Sequence, residues 1–299
     1  MAESFGVVMG QLRAAVLLSA FFLGTLFIAV PVQFLLQVSR SKSALSFPHR
    51  YFKWLCRVLG IRIETLGTPV AEGPLLIAAN HTSYFDIPVL GATGPFAFIA
   101  KTEVQRWPFF GLCADLSRTI FVDRNNRSRA LHDRNQIQGR LRKGDRLVLF
   151  PEGTSSDGNG ILPFKSSLLS VAELDAGSEQ SGRPLRCRVQ PVSISYTRLN
   201  GLPMGRIKRP LFAWYGDMDL MPHLWAALAA GPFDVTVEFH PAVTAEQLGD
   251  RKALARYCEN VVRKGVVEAL SGRRQGAPRI AFGDTRKEAR NPAASPQNA

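Results

Sequence analysis

From Ala14 to Leu36 the chain runs for 23 residues without a charge, in a stretch rich in Leu, Phe, Val and Ala. About 20 apolar residues suffice to cross a bilayer core, so this run must be covered by lipid or by the protein's own interior. Pro31 and Gln33 weaken its second half. A spanning helix, a re-entrant hairpin and a membrane-buried interfacial helix all fit, with a buried core helix as the soluble alternative. No small-x-small site follows the run, which argues against a cleaved signal peptide. Arg40, Lys42, His49, Arg50, Lys53 and Arg57 come next, and within Pro48–Ile61 they alternate with Tyr51, Phe52, Trp54, Leu55, Val58 and Leu59 at helical spacing. That pattern suits an amphipathic helix on an anionic leaflet, and the excess of Lys and Arg places this side in the cytoplasm. Residues 1–60 are therefore expected to form membrane-associated helices, on a bacterial inner membrane with the body facing the cytoplasm.

Beyond Ile61 the pattern changes to short apolar runs separated by helical stretches. Strands are expected at Arg62–Leu66, Leu75–Ala79, Phe96–Ala100, Thr119–Val122, Arg146–Phe150, Val189–Tyr196 and Asp234–Phe239, with a shorter candidate at Leu211–Tyr215. Helices are expected near 84–92, 103–113, 126–142, 164–176 and 244–270. The fold class that follows is α/β: a mixed, largely parallel sheet flanked by helices, over residues 61–271. Residues 272–299 are polar and read as a disordered tail.

The formal charge of +13 calls for an acidic partner, and the stretch before Gly272 still carries +9. An anionic membrane surface, an acidic carrier protein or a phosphorylated substrate would each satisfy it. Nucleic acid is disfavoured, since no zinc-finger spacing or RNA-binding aromatic motif accompanies the charge. The four cysteines and five histidines are scattered, with no C-x-x-C or His-Glu-x-x-His pair. No metal site is expected, and a reducing compartment is the default.

Chemistry concentrates after two of the strands. Asn80-His81-Thr82-Ser83-Tyr84-Phe85-Asp86 follows Leu75–Ala79. His81 and Asp86 can meet only if the chain turns between them, and Ser83-x-x-Asp86 has the spacing of a capping box at a helix start. The pair then reads as a general base with its imidazole oriented by a carboxylate, against the plainer reading of a helix cap beside a loop histidine. Phe150-Pro151-Glu152-Gly153-Thr154-Ser155-Ser156 follows the fifth strand, a turn rich in hydroxyls and amides that is neither a P-loop nor a nucleophile elbow. Lys101 and Arg124 follow two further strands, and a parallel sheet would bring all these ends to one edge.

The ordered blocks Asn80-His81-x4-Asp86, Val122-Asp123-Arg124, Phe150-Pro151-Glu152-Gly153-Thr154 and Val189-Gln190-Pro191-Val192 resemble the glycerolipid acyltransferase family, and within it the bacterial 1-acylglycerol-3-phosphate acyltransferases. The resemblance covers roughly residues 50–240. It implies transfer of a fatty acyl chain, without cofactor, from an acyl-carrier-protein or CoA thioester to the sn-2 hydroxyl of 1-acyl-sn-glycerol 3-phosphate, forming phosphatidic acid. It also implies that His81 deprotonates the hydroxyl, Asp86 holds the imidazole, Lys101 and Arg124 bind the acceptor's phosphate, and Glu152, Gly153 and Thr154 shape the acceptor site. One stretch departs from the shared blocks: Trp214-Tyr215-Gly216-Asp217-Met218-Asp219-Leu220, with Pro222-His223-Leu224-Trp225. Similar stretches resemble the lyso-ornithine lipid acyltransferase branch, whose acceptor carries no phosphate. A catalytically silent lipid-binding protein is the reading from another class, and the joint presence of His81, Asp86 and Glu152 opposes it.

Overall fold

The computed structural model describes residues 2–71, 73–123, 128–173, 179–180, 183–184 and 186–273. Arg124 and the tail beyond Arg273 lie outside the described residues.

Helix α1 (Ala2–Gly24) passes through a π turn at Thr25–Ala29 into α2 (Val30–Val38). The π turn stands where Pro31 withholds an amide from the helical ladder and its ring crowds the carbonyl four residues back. Phe5–Val38 is long and apolar enough to cross a membrane. One face of it is nonetheless buried against the protein at Ala14, Leu18, Phe21, Thr25, Ala29 and Gln33, a helical stripe running most of its length. A Cβ on Gly10 would lie 2.7 Å from the Ala229 carbonyl oxygen, and the Gln33 amide donates to the Ala44 and Leu116 carbonyls at 3.1 and 2.9 Å. The opposite face leaves Leu12, Val16, Leu23, Phe27 and Leu35 exposed. Helix α3 (Ser43–Leu59) follows, with Phe52, Leu55 and Cys56 turned inward.

The sheet comprises β1 (Ile61–Leu66), β2 (Leu75–Ala79), β3 (Ala97–Lys101), β4 (Ile120–Val122), β5 (Arg146–Leu149), β6 (Arg188–Leu199) and β7 (Phe233–Phe239). Its order is β1-β7-β6-β2-β5-β3-β4, with a two-residue strand, Leu202–Pro203, added to β6. Strands β6, β2, β5, β3 and β4 are parallel, whereas β7 is antiparallel to β6 and β1 runs parallel to β7. The mixed, largely parallel sheet inferred from the alternating runs is therefore present. All five residues of β2 are buried, as a strand covered on both faces requires. Leu75, Ile77 and Ala79 meet α1, α3, α4 (Asp86–Gly91) and α7 (Leu220–Ala230) on one face. Leu76 and Ala78 meet α6 (Ala130–Arg142) and α8 (Arg251–Ser271) on the other.

Several expected elements differ. The helix placed at 103–113 is two pieces, Thr102–Gln105 and α5 (Phe110–Leu116), because Pro108 removes a donor and Phe109 adopts φ +65°. The helix at 244–270 breaks at Gly249-Asp250 into Ala245–Leu248 and α8. Near 164–176 there is one α turn, Ser166–Leu169, then a 3-10 turn, Ser170–Ala172. The candidate strand Leu211–Tyr215 is no strand: Arg209–Leu211 is a 3-10 turn, and the Trp214 amide donates to the Thr82 carbonyl at 2.9 Å instead of to a ladder.

Candidate active site

The parallel strands end on one edge, and the register sets the heights. Phe98 and Ile77 both stand level with Val148, which brings Lys101 to the level of Asn80, one residue short of His81. Val122 pairs with Lys101 on the same edge, and the expected Arg124 lies outside the described residues. Asn80 closes the end of β2 by exchanging two hydrogen bonds with the backbone of Ile194, at 2.9 and 2.8 Å. The chain then turns, and α4 begins at Asp86.

Within that turn His81 Nδ1 lies 2.8 Å from Asp86 Oδ2. The same oxygen accepts the amides of Thr82 and Ser83 at 2.7 and 3.0 Å, and Asp86 Oδ1 accepts the Tyr196 hydroxyl at 2.7 Å. Asp86 is wholly buried. A carboxylate fed by three other donors is an acceptor, so the proton between it and the ring sits on Nδ1, and Nε2 carries the free lone pair. Asp86 does supply the carboxylate arm of the expected capping box, through the Ser83 amide. The hydroxyl arm is missing, since the Asp86 amide donates to the Ser83 carbonyl at 3.0 Å rather than to its side chain.

The other side of the imidazole stacks on Phe150, with centroids 4.1 Å apart and planes 17° from parallel. Phe150 ends β5 and opens the Phe-Pro-Glu-Gly turn, so that motif braces the histidine ring. Glu152 turns inward and is 1% exposed; its Oε1 accepts the His81 amide at 3.1 Å. Burial pushes its carboxyl up to about 8, and the His81 amide offsets only part of that rise. Gly153 adopts φ +75°, as its place in the turn requires, and Thr154 is exposed. The Ser156 amide donates to the His81 carbonyl at 2.9 Å, tying the two motif loops together. Lys101 is exposed on the same edge.

One contributor escaped the sequence reading, and one segment set apart there takes a place in the site. Tyr196 stands 110 residues from Asp86 and reaches it because Val192, Ile194 and Tyr196 alternate onto the face that carries α4. Burial, then the charge of Asp86, raises its hydroxyl well above the ordinary range, which keeps it a donor. The departing segment forms the other wall. Trp214 bonds Thr82 and accepts from the Ser155 hydroxyl, and His223 Nδ1 lies 2.8 Å from the Tyr84 hydroxyl. Trp214 also meets Trp107 edge-on at 5.7 Å.

Beside this loop opens an apolar cavity of about 230 Å³. Tyr84, Phe85 and Pro88 line it near the histidine, Phe98 and Ala100 line it from β3, and Ala29 and Gln33 line it from the N-terminal helices. Inside it, the Thr25 and Tyr51 hydroxyls bond each other at 2.5 Å. Among the described residues no cluster of His, Cys, Asp and Glu could hold a metal ion, and Cys56, Cys113, Cys187 and Cys258 are free thiols.

Comparison with known proteins gives the family of the chain. Residues 60–195 match a family model described as Acyltransferase. A lyso-ornithine lipid O-acyltransferase from Brucella abortus is 45% identical over 82% of this chain and 90% of that protein. The chain belongs to the acyltransferase family. A second lyso-ornithine lipid O-acyltransferase, from Rhizobium meliloti, is 39% identical over 84% of the chain and 85% of its own length. A 1-acyl-sn-glycerol-3-phosphate acyltransferase from Neisseria gonorrhoeae is 32% identical over 70% of the chain and 76% of its own. The crystal structure of a 1-acyl-sn-glycerophosphate acyltransferase from Thermotoga maritima shares the fold, with a TM-score of 0.61 at 20% identity over 87% of this chain and 97% of that one. The protein is thus an acyltransferase of lipid metabolism.

Proposed function

We propose that this acyltransferase moves a fatty acyl chain from an acyl-carrier-protein or CoA thioester to the hydroxyl of a lyso-ornithine lipid. The observation that carries the chemistry is the His81–Asp86 pair, with Nε2 left basic, beside a cavity lined by Tyr84 and Phe85 from the same turn. His81 Nε2 takes the acceptor's hydroxyl proton, and the oxygen attacks the thioester carbonyl as that proton leaves. The tetrahedral intermediate collapses: the C–O bond stays, the C–S bond breaks, and the departing thiolate takes the proton back from the imidazolium. Asp86 holds the ring and stabilises its charged form between the two transfers. No covalent acyl-enzyme is required. The cavity takes the acyl chain. Lys101 and Arg124 would bind the anionic part of the acceptor, while Glu152, Gly153 and Thr154 support its site.

The acceptor assignment follows the relatives. The Brucella and Rhizobium proteins, named lyso-ornithine lipid O-acyltransferase, align over more of this chain, at 45% and 39% identity, than the Neisseria protein does at 32%. The Trp214–Trp225 segment, set apart in the sequence, forms the wall against Tyr84. The second reading, acylation of 1-acyl-sn-glycerol 3-phosphate, is favoured by the Neisseria relative. Docking of α1 and α2 along the body favours a helix embedded in the cytoplasmic leaflet of a bacterial inner membrane over one leaving the protein to span it, since a spanning helix would draw its docked face into the bilayer.

An acyl-transfer assay with purified full-length protein tests this, using one acyl-carrier thioester and offering lyso-ornithine lipid and lysophosphatidic acid side by side. Turnover on the ornithine acceptor is expected. Turnover on lysophosphatidic acid alone would replace the assignment with the second reading.

A further inference from the structure

We propose that the turn Gly205-Arg206-Ile207-Lys208 is a second membrane contact, which seats the active-site edge against an anionic lipid surface. Ile207 is 95% exposed, at the third position of a β-turn closed by the Lys208 amide on the Gly205 carbonyl at 3.0 Å. Turn positions ordinarily take Gly, Asn or Asp, so an isoleucine there makes the turn an apolar tip. Exposed Arg206 and Lys208 flank it, and Leu202, 71% exposed, stands on the adjoining two-residue strand. An apolar tip within a cationic collar complements a leaflet of acidic headgroups over acyl chains.

The turn's place in the fold supports the same occupant. It lies where β6 has run past the sheet edge that carries His81, and Arg209, directly after it, donates to Asn159 at 3.3 Å beside the Glu152 turn. Before it, Asn200 donates to the Ala230 carbonyl at 3.1 Å, at the end of α7 where Gly10 of α1 packs. Met221 and Trp225 of α7 are exposed, and the Trp225 ring nitrogen donates to Gln11 of α1. The proposal rests on the reading of α1 as membrane-embedded and adds to it a contact near the reacting groups.

The test uses the full chain in a Cys113→Ala background, the other three cysteines being buried. An environment-sensitive fluorophore is attached at Ile207→Cys or, separately, at Phe27→Cys on the exposed face of the π turn. Each protein is mixed with vesicles of phosphatidylglycerol and phosphatidylcholine. Blue-shifted emission, quenched by brominated acyl chains, is expected from both positions. Insertion at 27 with no response at 207 would overturn the turn's role and leave the embedded helix standing. Silence at both would remove the embedded-helix reading and this proposal with it. Ile207→Glu should weaken binding to the same vesicles about tenfold, the worth of one aliphatic side chain withdrawn from lipid. Its turnover on detergent-dispersed acceptor should not change. Unchanged vesicle affinity would refute the contact.

Discussion

Glu152→Gln tests how the Phe-Pro-Glu-Gly turn holds the catalytic loop. Burial lifts the Glu152 carboxyl from its ordinary 4.5 to about 8. A carboxyl raised on folding favours the protonated state. Its contribution is therefore fully present below the ordinary value and is lost as pH rises through the folded one. Each pH unit of that displacement is worth about 1.36 kcal/mol, so ionised Glu152 costs the fold on the order of 5 kcal/mol above pH 8. Glutamine keeps an oxygen for the His81 amide and does not titrate. Its NH2 takes the place of Oε2, which accepts no hydrogen bond, and that costs about 1–3 kcal/mol at every pH. The absolute melting temperature is then a poor readout, and its change with pH is the informative one. Thermal unfolding of both proteins in one detergent, across about pH 5 to 9, should show the wild type losing roughly 10 °C relative to the variant as pH rises. Parallel curves would mean that Glu152 is ionised throughout, and would refute the burial argument.

His81→Ala should abolish turnover while the melting temperature and vesicle binding stay near wild type; substantial residual activity would sink the general-base assignment. Tyr196→Phe removes one donor from the buried Asp86 carboxylate, and a hydrogen bond to a charged group is worth about 1.5–3 kcal/mol. Denaturant unfolding should record a loss of that size, with kcat falling more than KM rises; unchanged stability would mean that the bond contributes nothing. Ala29→Phe projects a ring into the cavity from the N-terminal helix and should shift donor preference toward shorter acyl chains. A chain-length profile identical to wild type would remove the cavity from acyl binding.

What the sequence disclosed follows the range of the interactions. Leu75–Ala79 was legible to the residue, because a strand buried on both faces is a continuous apolar run and Pro74 and Asn80 bound it. The His81–Asp86 pair was legible because its geometry lies within one turn of chain. Tyr196 was not, since its bond to Asp86 depends on which strand neighbours β2, and pairing is a tertiary choice. Nor was the inward turn of Glu152, for the sequence of the turn does not say which way the carboxylate points. The missed helix breaks have a local cause, Phe109 at positive φ after Pro108 and the Gly249-Asp250 step, and were hidden under amphipathic patterns that continue across them. The apolar run at Ala14–Leu36 could not disclose its docked face because both faces are apolar; the Gly24 approach to Trp54 and the bonds of Thr25 and Gln33 mark it in the structure.

On the proposed function, that docking lets one sheet join a soluble thioester to a lipid-bound hydroxyl. The sheet has two unlike faces: one closes under α6 and α8 as an ordinary core, and the other holds α1, α3 and α7 with the cavity between them. His81 stands at the strand ends where those two regions meet. A histidine placed there can touch a hydroxyl whose chains remain in lipid and a thioester arriving from water, provided that it does not move. Four donors on Asp86, the Phe150 ring against the imidazole and the Glu152 bond to the His81 amide restrict the ring in three independent ways. For a direct transfer with no covalent intermediate to hold one substrate while the other binds, such fixity is the main resource available, because both reactants must meet the base in a single encounter.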